Sequence, residues 1–134
     1  MIVGLGIDVV GIERMAQLLA RHQDRFLARW FDPRELPSAT SAERIAARWA
    51  AKEAAAKALG TGFAGGVVPS QIAILALPSG APALVLSGAA LTRAGLLGAT
   101  SYHVSLSHAD GTAAAVVILE AREFANPSTM PTPA

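Results

Sequence analysis

The chain has 134 residues, 52% hydrophobic but only 5% aromatic, with 16% charged residues, a net charge of +1 and no cysteine. That length suits one domain, and the near-neutral balance excludes a nucleic-acid binder that works through bulk positive charge. The missing cysteines exclude a disulfide scaffold, thiolate metal sites and cysteine nucleophiles, and fit a reducing compartment.

The first expected element is a strand from Ile2 to Val10, broken by Gly4 and Gly6 and carrying Asp8 near its end. A helix follows from Ile12 to about Trp30, with Ile12, Met15, Leu19, Phe26 and Trp30 on one face. Phe31 to Glu35 reads as a turn, with Pro33 placed to start a short helix. Thr40-Ser41-Ala42-Glu43 has the form of a capping box in which Thr40 accepts from Glu43, opening a helix that runs to Leu59 with Gly60 beyond its end. Two strands, Gln71 to Leu77 and Pro82 to Leu86, flank a hairpin turn at residues 78–81. A short helix from Gly88 to Leu97 precedes the last two strands, Tyr102 to His108 and Thr112 to Glu120. Residues 124–134 are too polar and proline-rich to pack and are expected to be disordered. The order β-α-α-β-β-α-β-β argues an α+β domain with an antiparallel or mixed sheet and one long helix.

A mean hydropathy of +0.42 with so few charges leaves little polar surface, so part of the surface is expected to be buried against other subunits. The 29 alanines imply a core built thinly around small side chains. No apolar run is long enough to span a membrane, and Met1 to Gly6 lacks the basic start of a signal peptide, so a cytoplasmic protein is expected.

Charge is scarce, which makes its placement informative. The only two lysines, Lys52 and Lys57, fall in Ala51-Lys52-Glu53-Ala54-Ala55-Ala56-Lys57. On a helical wheel Ile45, Trp49, Ala56 and Leu59 form an apolar stripe, with Lys52 inside it and Glu53 and Lys57 beside it. An i,i+4 Glu53–Lys57 pair is one reading of this segment, but it leaves Lys52 needing a partner on a packing face. Asp8, a metal or a bound anion are the candidates. Asp8 is either a cap for the helix opening at Ile12 or a metal-binding carboxylate. His108 ends a strand where its side chain can escape the apolar face. It is either a solvated strand-end histidine or, beside a loop carrying Asp110, a phosphate ligand or proton-transfer group. On the first helix Arg14, Arg21, Arg25 and Arg29 line up opposite the apolar face with Leu18 among them. This is either a solvated face or a docking stripe for an acidic partner helix. Two carboxylates, nearby lysines and glycine-rich loops suit Mg²⁺-dependent phosphoryl chemistry on a pyrophosphate.

Four segments in order resemble the holo-acyl-carrier-protein synthase family, the small trimeric type of 4′-phosphopantetheinyl transferase. They are Gly6-Ile7-Asp8-Val9-Val10, Phe31 through Glu35, Arg48-Trp49-Ala50-Ala51-Lys52-Glu53-Ala54-Ala55-Ala56-Lys57-Ala58, and His103-Val104-Ser105-Leu106-Ser107-His108. The resemblance implies a transferase domain over residues 1–123 that moves the phosphopantetheine arm of coenzyme A to a serine of apo-acyl carrier protein. It implies that Asp8 and Glu53 ligate Mg²⁺, and that Glu53, Lys57 and His108 take part in catalysis. Lys57, Gly60, Thr61, Gly62 and His108 would contact coenzyme A phosphates, while Gly80 and Pro82 would lie near its adenine. Arg14, Leu18, Arg21 and Arg25 would dock the carrier protein, and sites would form between the subunits of a homotrimer.

Two positions depart from the family pattern: Ala81 stands where relatives often carry a basic residue, and Ala109 where some carry an aspartate. The proton acceptor is therefore left open among Glu53, Asp110 and water. Two other functions compete: a non-catalytic trimeric module binding a nucleotide or an acidic protein, and a different Mg²⁺-dependent phosphoryl enzyme that would need further carboxylates.

Overall fold

Strand β1, Ile2–Gly11, explains its own glycines. A Cβ on Gly4 would collide with the carbonyl of Ala58, and one on Gly6 with the carbonyl of Ala54. Only glycine lets helix α2, Ala42–Ala58, lie so close on the strand. The same crowding explains the alanines, because α2 is buried on nearly every side. Ala46, Ala47, Ala50, Ala51, Ala54, Ala55 and Ala56 are all essentially inaccessible. The expected amphipathic stripe is therefore corrected: α2 is a central helix wrapped by sheet and helices, and it has little solvent face to hold charges.

The computed structural model describes residues 1–38 and 41–122. Helix α1, Ile12–Trp30, follows β1 directly, then a 3₁₀ turn at Pro33–Ser38 leads towards α2. Strands β2, Ile72–Ala76, and β3, Pro82–Leu86, precede helix α3, Gly88–Leu96. Strands β4, Ser101–Ala109, and β5, Thr112–Glu120, complete the domain. The strands form two antiparallel sheets, β1-β5-β4 and β2-β3. One apolar core packs α2 against Ile72, Ile74, Leu84, Leu86, Val117 and Leu119. A second gathers Met15, Phe26, Phe31 and Ile45 where α1 meets α2.

Several expectations are refined. The N-cap of α2 is Ser41, whose hydroxyl accepts from the Arg44 N–H at 3.2 Å. The expected cap Thr40 lies outside the described residues, as does the tail at 124–134. Asp8 caps nothing: α1 begins at Gly11 with no side-chain cap, its first N–H donating to the Gly111 carbonyl at 2.9 Å. Alternation along β1 would put Ile2 on the side of Gly4, Gly6 and Asp8, but a register shift between Ile2 and Gly4 interrupts it and Ile2 is exposed. Helix α1 is interrupted at His22, whose φ of −140° and ψ of 24° are not helical. Asp110 and Gly111 both have positive φ, 51° and 77°, as a two-residue hairpin turn requires.

Across β1 and β5 the outer face of the three-stranded sheet is apolar and open, while β4 adds His103, Ser105 and Ser107 to it. Leu5, Ile7 and Val9 are 64%, 63% and 64% exposed. They stand opposite Ile118, Val116 and Ala114 of β5. An uncovered apolar sheet face of this kind marks an interaction surface.

Candidate active site

The glycines that admit α2 also aim Asp8. It shares their side of β1, so its carboxylate faces the helix rather than solvent. Lys57, in the last turn of α2, reaches across and donates to Asp8 Oδ1 and to the Ile7 carbonyl, both at 2.9 Å. The expected i,i+4 pairing is thereby replaced: Lys57 bridges to the strand instead of to Glu53. Asp8 Oδ2 is buried and has no hydrogen-bond partner.

Glu53 lies one helical turn before Lys57, beside Asp8. Burial, then a hydrogen bond that protonated Glu53 makes to Asp8 and the repulsion of the Asp8 charge, push its pKa up to about 7, against the hydrogen bond with Trp49 and the charge of Lys57. Two carboxylates crowded together with one lysine, and with one oxygen orphaned, form an unfinished electrostatic unit. The donors are hard oxygens, the type that suits Mg²⁺. Among the described residues no group of three or more His, Cys, Asp or Glu side chains is placed to hold a metal. Water and substrate phosphate would supply the remaining ligands of a two-carboxylate Mg²⁺ site.

Glu53 opens onto a groove of about 380 Å³ lined also by Gly11, Arg14, Leu18 and Trp49. Leu18 also lines a second groove, of about 250 Å³, with His22, Arg25, Arg29 and Trp30. The arginine stripe therefore leads to the carboxylates through Leu18. Arg14, Arg21, Arg25 and Arg29 are all exposed, and Arg29 lies over the Trp30 ring at 4.6 Å. The break at His22 falls between Arg21 and Arg25, so the stripe spans two helical segments. Nothing in the spacing of the apolar residues signals that break.

Lys52 is not part of this cluster. It is fully buried and donates to Glu35 Oε2 at 2.9 Å, the Pro69 carbonyl at 3.0 Å and the Ile72 carbonyl at 2.6 Å. Glu35, also fully buried, accepts from the Asp32 and Ile74 N–H groups at 2.8 and 2.9 Å. The partner expected to be Asp8, a metal or an anion is thus an internal carboxylate. Its sequence signal was the acid placed three residues after Asp32 in a proline turn.

Of the other expected ligands, the glycine loop runs on directly from α2, while His108 lies on β4 and Gly80 and Pro82 at the β2–β3 hairpin. His108 is exposed at the end of β4, in register with Ala113. Gly60 and Gly62 have positive φ of 77° and 56°, and the Thr61 hydroxyl donates to the Gly62 carbonyl at 2.8 Å. Gly80, with φ of 88°, and Pro82 belong to the β2–β3 turn. The Gly60 N–H donates to the Lys57 carbonyl at 2.9 Å as α2 ends, and among the described residues no side-chain hydrogen bond or ion pair joins His108, Gly80 or Pro82 to Asp8, Glu53 or Lys57.

The family model for the 4′-phosphopantetheinyl transferase superfamily matches residues 4–117. The chain is 58% identical over 123 residues to a holo-[acyl-carrier-protein] synthase of Solidesulfovibrio magneticus, covering 90% of this chain and 99% of the relative. The crystal structure of the holo-[acyl-carrier-protein] synthase from Neisseria meningitidis superposes with a TM-score of 0.79 at 35% identity, covering 90% of this chain and 99% of that one. The Helicobacter pylori synthase, solved in complex with coenzyme A, gives a TM-score of 0.79 at 32% identity, covering 87% and 99%. The glycine-floored strand, the close-packed α2 and the carboxylate pair between them are thus set in a shared fold, and the chain belongs to the 4′-phosphopantetheinyl transferase superfamily.

Proposed function

We infer that this protein transfers the 4′-phosphopantetheine arm of coenzyme A to a serine of apo-acyl carrier protein. The serine oxygen forms a new bond to the β-phosphorus, the anhydride bond of the pyrophosphate breaks, and adenosine 3′,5′-bisphosphate leaves. The observation that carries this reading is the crowded Asp8–Glu53 pair, with Asp8 Oδ2 lacking a hydrogen-bond partner and Glu53 lining a groove that Arg14 and Leu18 also line.

Asp8 and Glu53 would hold Mg²⁺, which when bound supplies positive charge to the pyrophosphate. Lys57, its side chain 55% exposed, is free to turn from Asp8 to a phosphate oxygen and neutralise the leaving group. The serine proton would pass to Glu53, Asp110 or water. His108 and the Gly60-Thr61-Gly62 loop would bind coenzyme A phosphates, and the turn at Gly80 and Pro82 would lie against the adenine. His108 and the Gly80–Pro82 segment make no hydrogen bond to Asp8, Glu53 or Lys57 within one chain among the described residues, which supports sites completed between subunits. The open face of Leu5, Ile7 and Val9 supports self-association, which the family resemblance makes a homotrimer. Arg14, Leu18, Arg21 and Arg25 would dock the acidic carrier protein. No described helix is long and apolar enough to cross a membrane, and the missing cysteines fit the cytoplasm.

The test is incubation with coenzyme A, Mg²⁺ and apo-acyl carrier protein. The expected result is a carrier mass gain of one phosphopantetheine arm that disappears when the metal is chelated. No gain on several apo carriers would overturn the reading.

A further inference from the structure

The Gly60-Thr61-Gly62 loop follows directly on the C-terminus of α2, where the last carbonyls carry the negative end of the helix dipole. That is the wrong sign for a phosphate site. Arg93, on α3, stands at this point. Its Nε donates to the Leu59 carbonyl, at the helix end, over 2.8 Å. Its Nη2 lies 3.4 Å from where a Cβ on Gly60 would be. The side chain is half-buried, and no other hydrogen bond or ion pair engages it among the described residues, so the remaining N–H groups of the guanidinium are unclaimed. Arginine can do both jobs at once, because its planar fork can cap a carbonyl with one edge and present donors to an oxyanion with another.

We propose that Arg93 is a phosphate-binding residue for coenzyme A, presenting its free N–H groups beside the glycine loop while it caps α2. The proposal rests on that loop being the coenzyme A phosphate site. It adds a residue from a helix to which the sequence assigned no role, 33 positions beyond Gly60.

Binding of coenzyme A to the full chain, followed by calorimetry, tests it separately from transfer. Arg93→Gln retains a donor for the Leu59 carbonyl but removes the charge. Its Kd for coenzyme A should rise about tenfold, with the KM for the carrier unchanged. Arg93→Lys, which restores the charge without the fork, should fall between the two. A loss that persists with dephospho-coenzyme A assigns the contact to the pyrophosphate; a loss that vanishes assigns it to the 3′-phosphate. A Kd in Arg93→Gln within about twofold of the parent overturns the proposal, whatever happens to the unfolding midpoint. A parent chain that binds no coenzyme A overturns it too. A parent that binds coenzyme A yet modifies no carrier defeats the transferase reading alone, and the Kd comparison still decides Arg93.

Discussion

Helix α2 carries two lysine–carboxylate pairs with the same 2.9 Å separation, and they do opposite things. Lys52 and Glu35 are sealed. Each side chain is inaccessible, and the ammonium has three acceptors, one for each proton. Burial pulls the Lys52 pKa down, while Glu35 pulls it back up. Lys57 and Asp8 are open: the lysine is largely exposed, one Asp8 oxygen has no partner, and Glu53 adds a second carboxylate. A satisfied pair leaves no capacity for a ligand and acts as a strut between α2, the proline turn and β2. An unsatisfied one has capacity to spare. Distance alone would not tell them apart; completeness does.

The comparison breaks most visibly at the strut. Lys52→Met would remove the ammonium that neutralises Glu35 in the core and should cost about 3–5 kcal/mol, read from chemical denaturation. Adding Glu35→Leu should restore most of that loss, since a matched apolar replacement removes the buried charge as well. If the single variant were no less stable than the parent, the sealed pair would not be a strut.

At the open cluster the effect should be on rate. Asp8→Asn should lower the transfer rate about 10²- to 10³-fold while the unfolding midpoint stays close to the parent's. A variant that loses activity only as it loses fold would make this pair structural as well.

Glu53 gives a smaller, pH-resolved contrast. Its pKa in the folded chain is raised from an ordinary 4.5 to about 7, so the folded state holds the proton more tightly. In metal-free protein this contribution to stability is fully present below about 4.5 and is lost as pH rises through about 7. Denaturation midpoints measured across that window should show the decline, and Glu53→Gln should flatten it. Mg²⁺ affinity should run the other way, increasing over the same range as the carboxylate ionises.

The smallest expected effect is at the docking face. Arg21→Glu should raise the KM for the carrier about three- to tenfold at low salt, and less at high salt. An unchanged KM would assign the stripe to solvent.

Strand and helix positions were readable from the sequence because local rules set them. Apolar runs bounded by turn residues mark β1 and β5, alanine favours the helix in α2, and Gly60 and the Pro78–Ala81 turn punctuate the ends. Partnership was not readable, because it is non-local. β1 pairs with β5 from the far end of the domain, and Lys52 meets a carboxylate 17 positions away. The wheel placed Lys52 on a packing face correctly but suggested the wrong partners. It also offered Glu53 to Lys57, a pairing displaced once β1 brings Asp8 within reach. The break at His22 left no trace, having neither glycine nor proline to mark it. Asp8 and Glu53 stood out in the residue pattern and took their metal role from the family resemblance; that Asp8 Oδ2 lacks a partner and that the Glu53 pKa rises to about 7 emerged only once α2 was packed on β1.

The central claim is that chemistry belongs to the open cluster and architecture to the sealed pair. The most direct measurement is the Mg²⁺-dependent transfer rate per folded molecule in Asp8→Asn and in the double variant Glu35→Leu/Lys52→Met. The double variant should transfer at close to the parent rate, and Asp8→Asn should be nearly inactive. A fully active Asp8→Asn, or a well-folded double variant without activity, would contradict it.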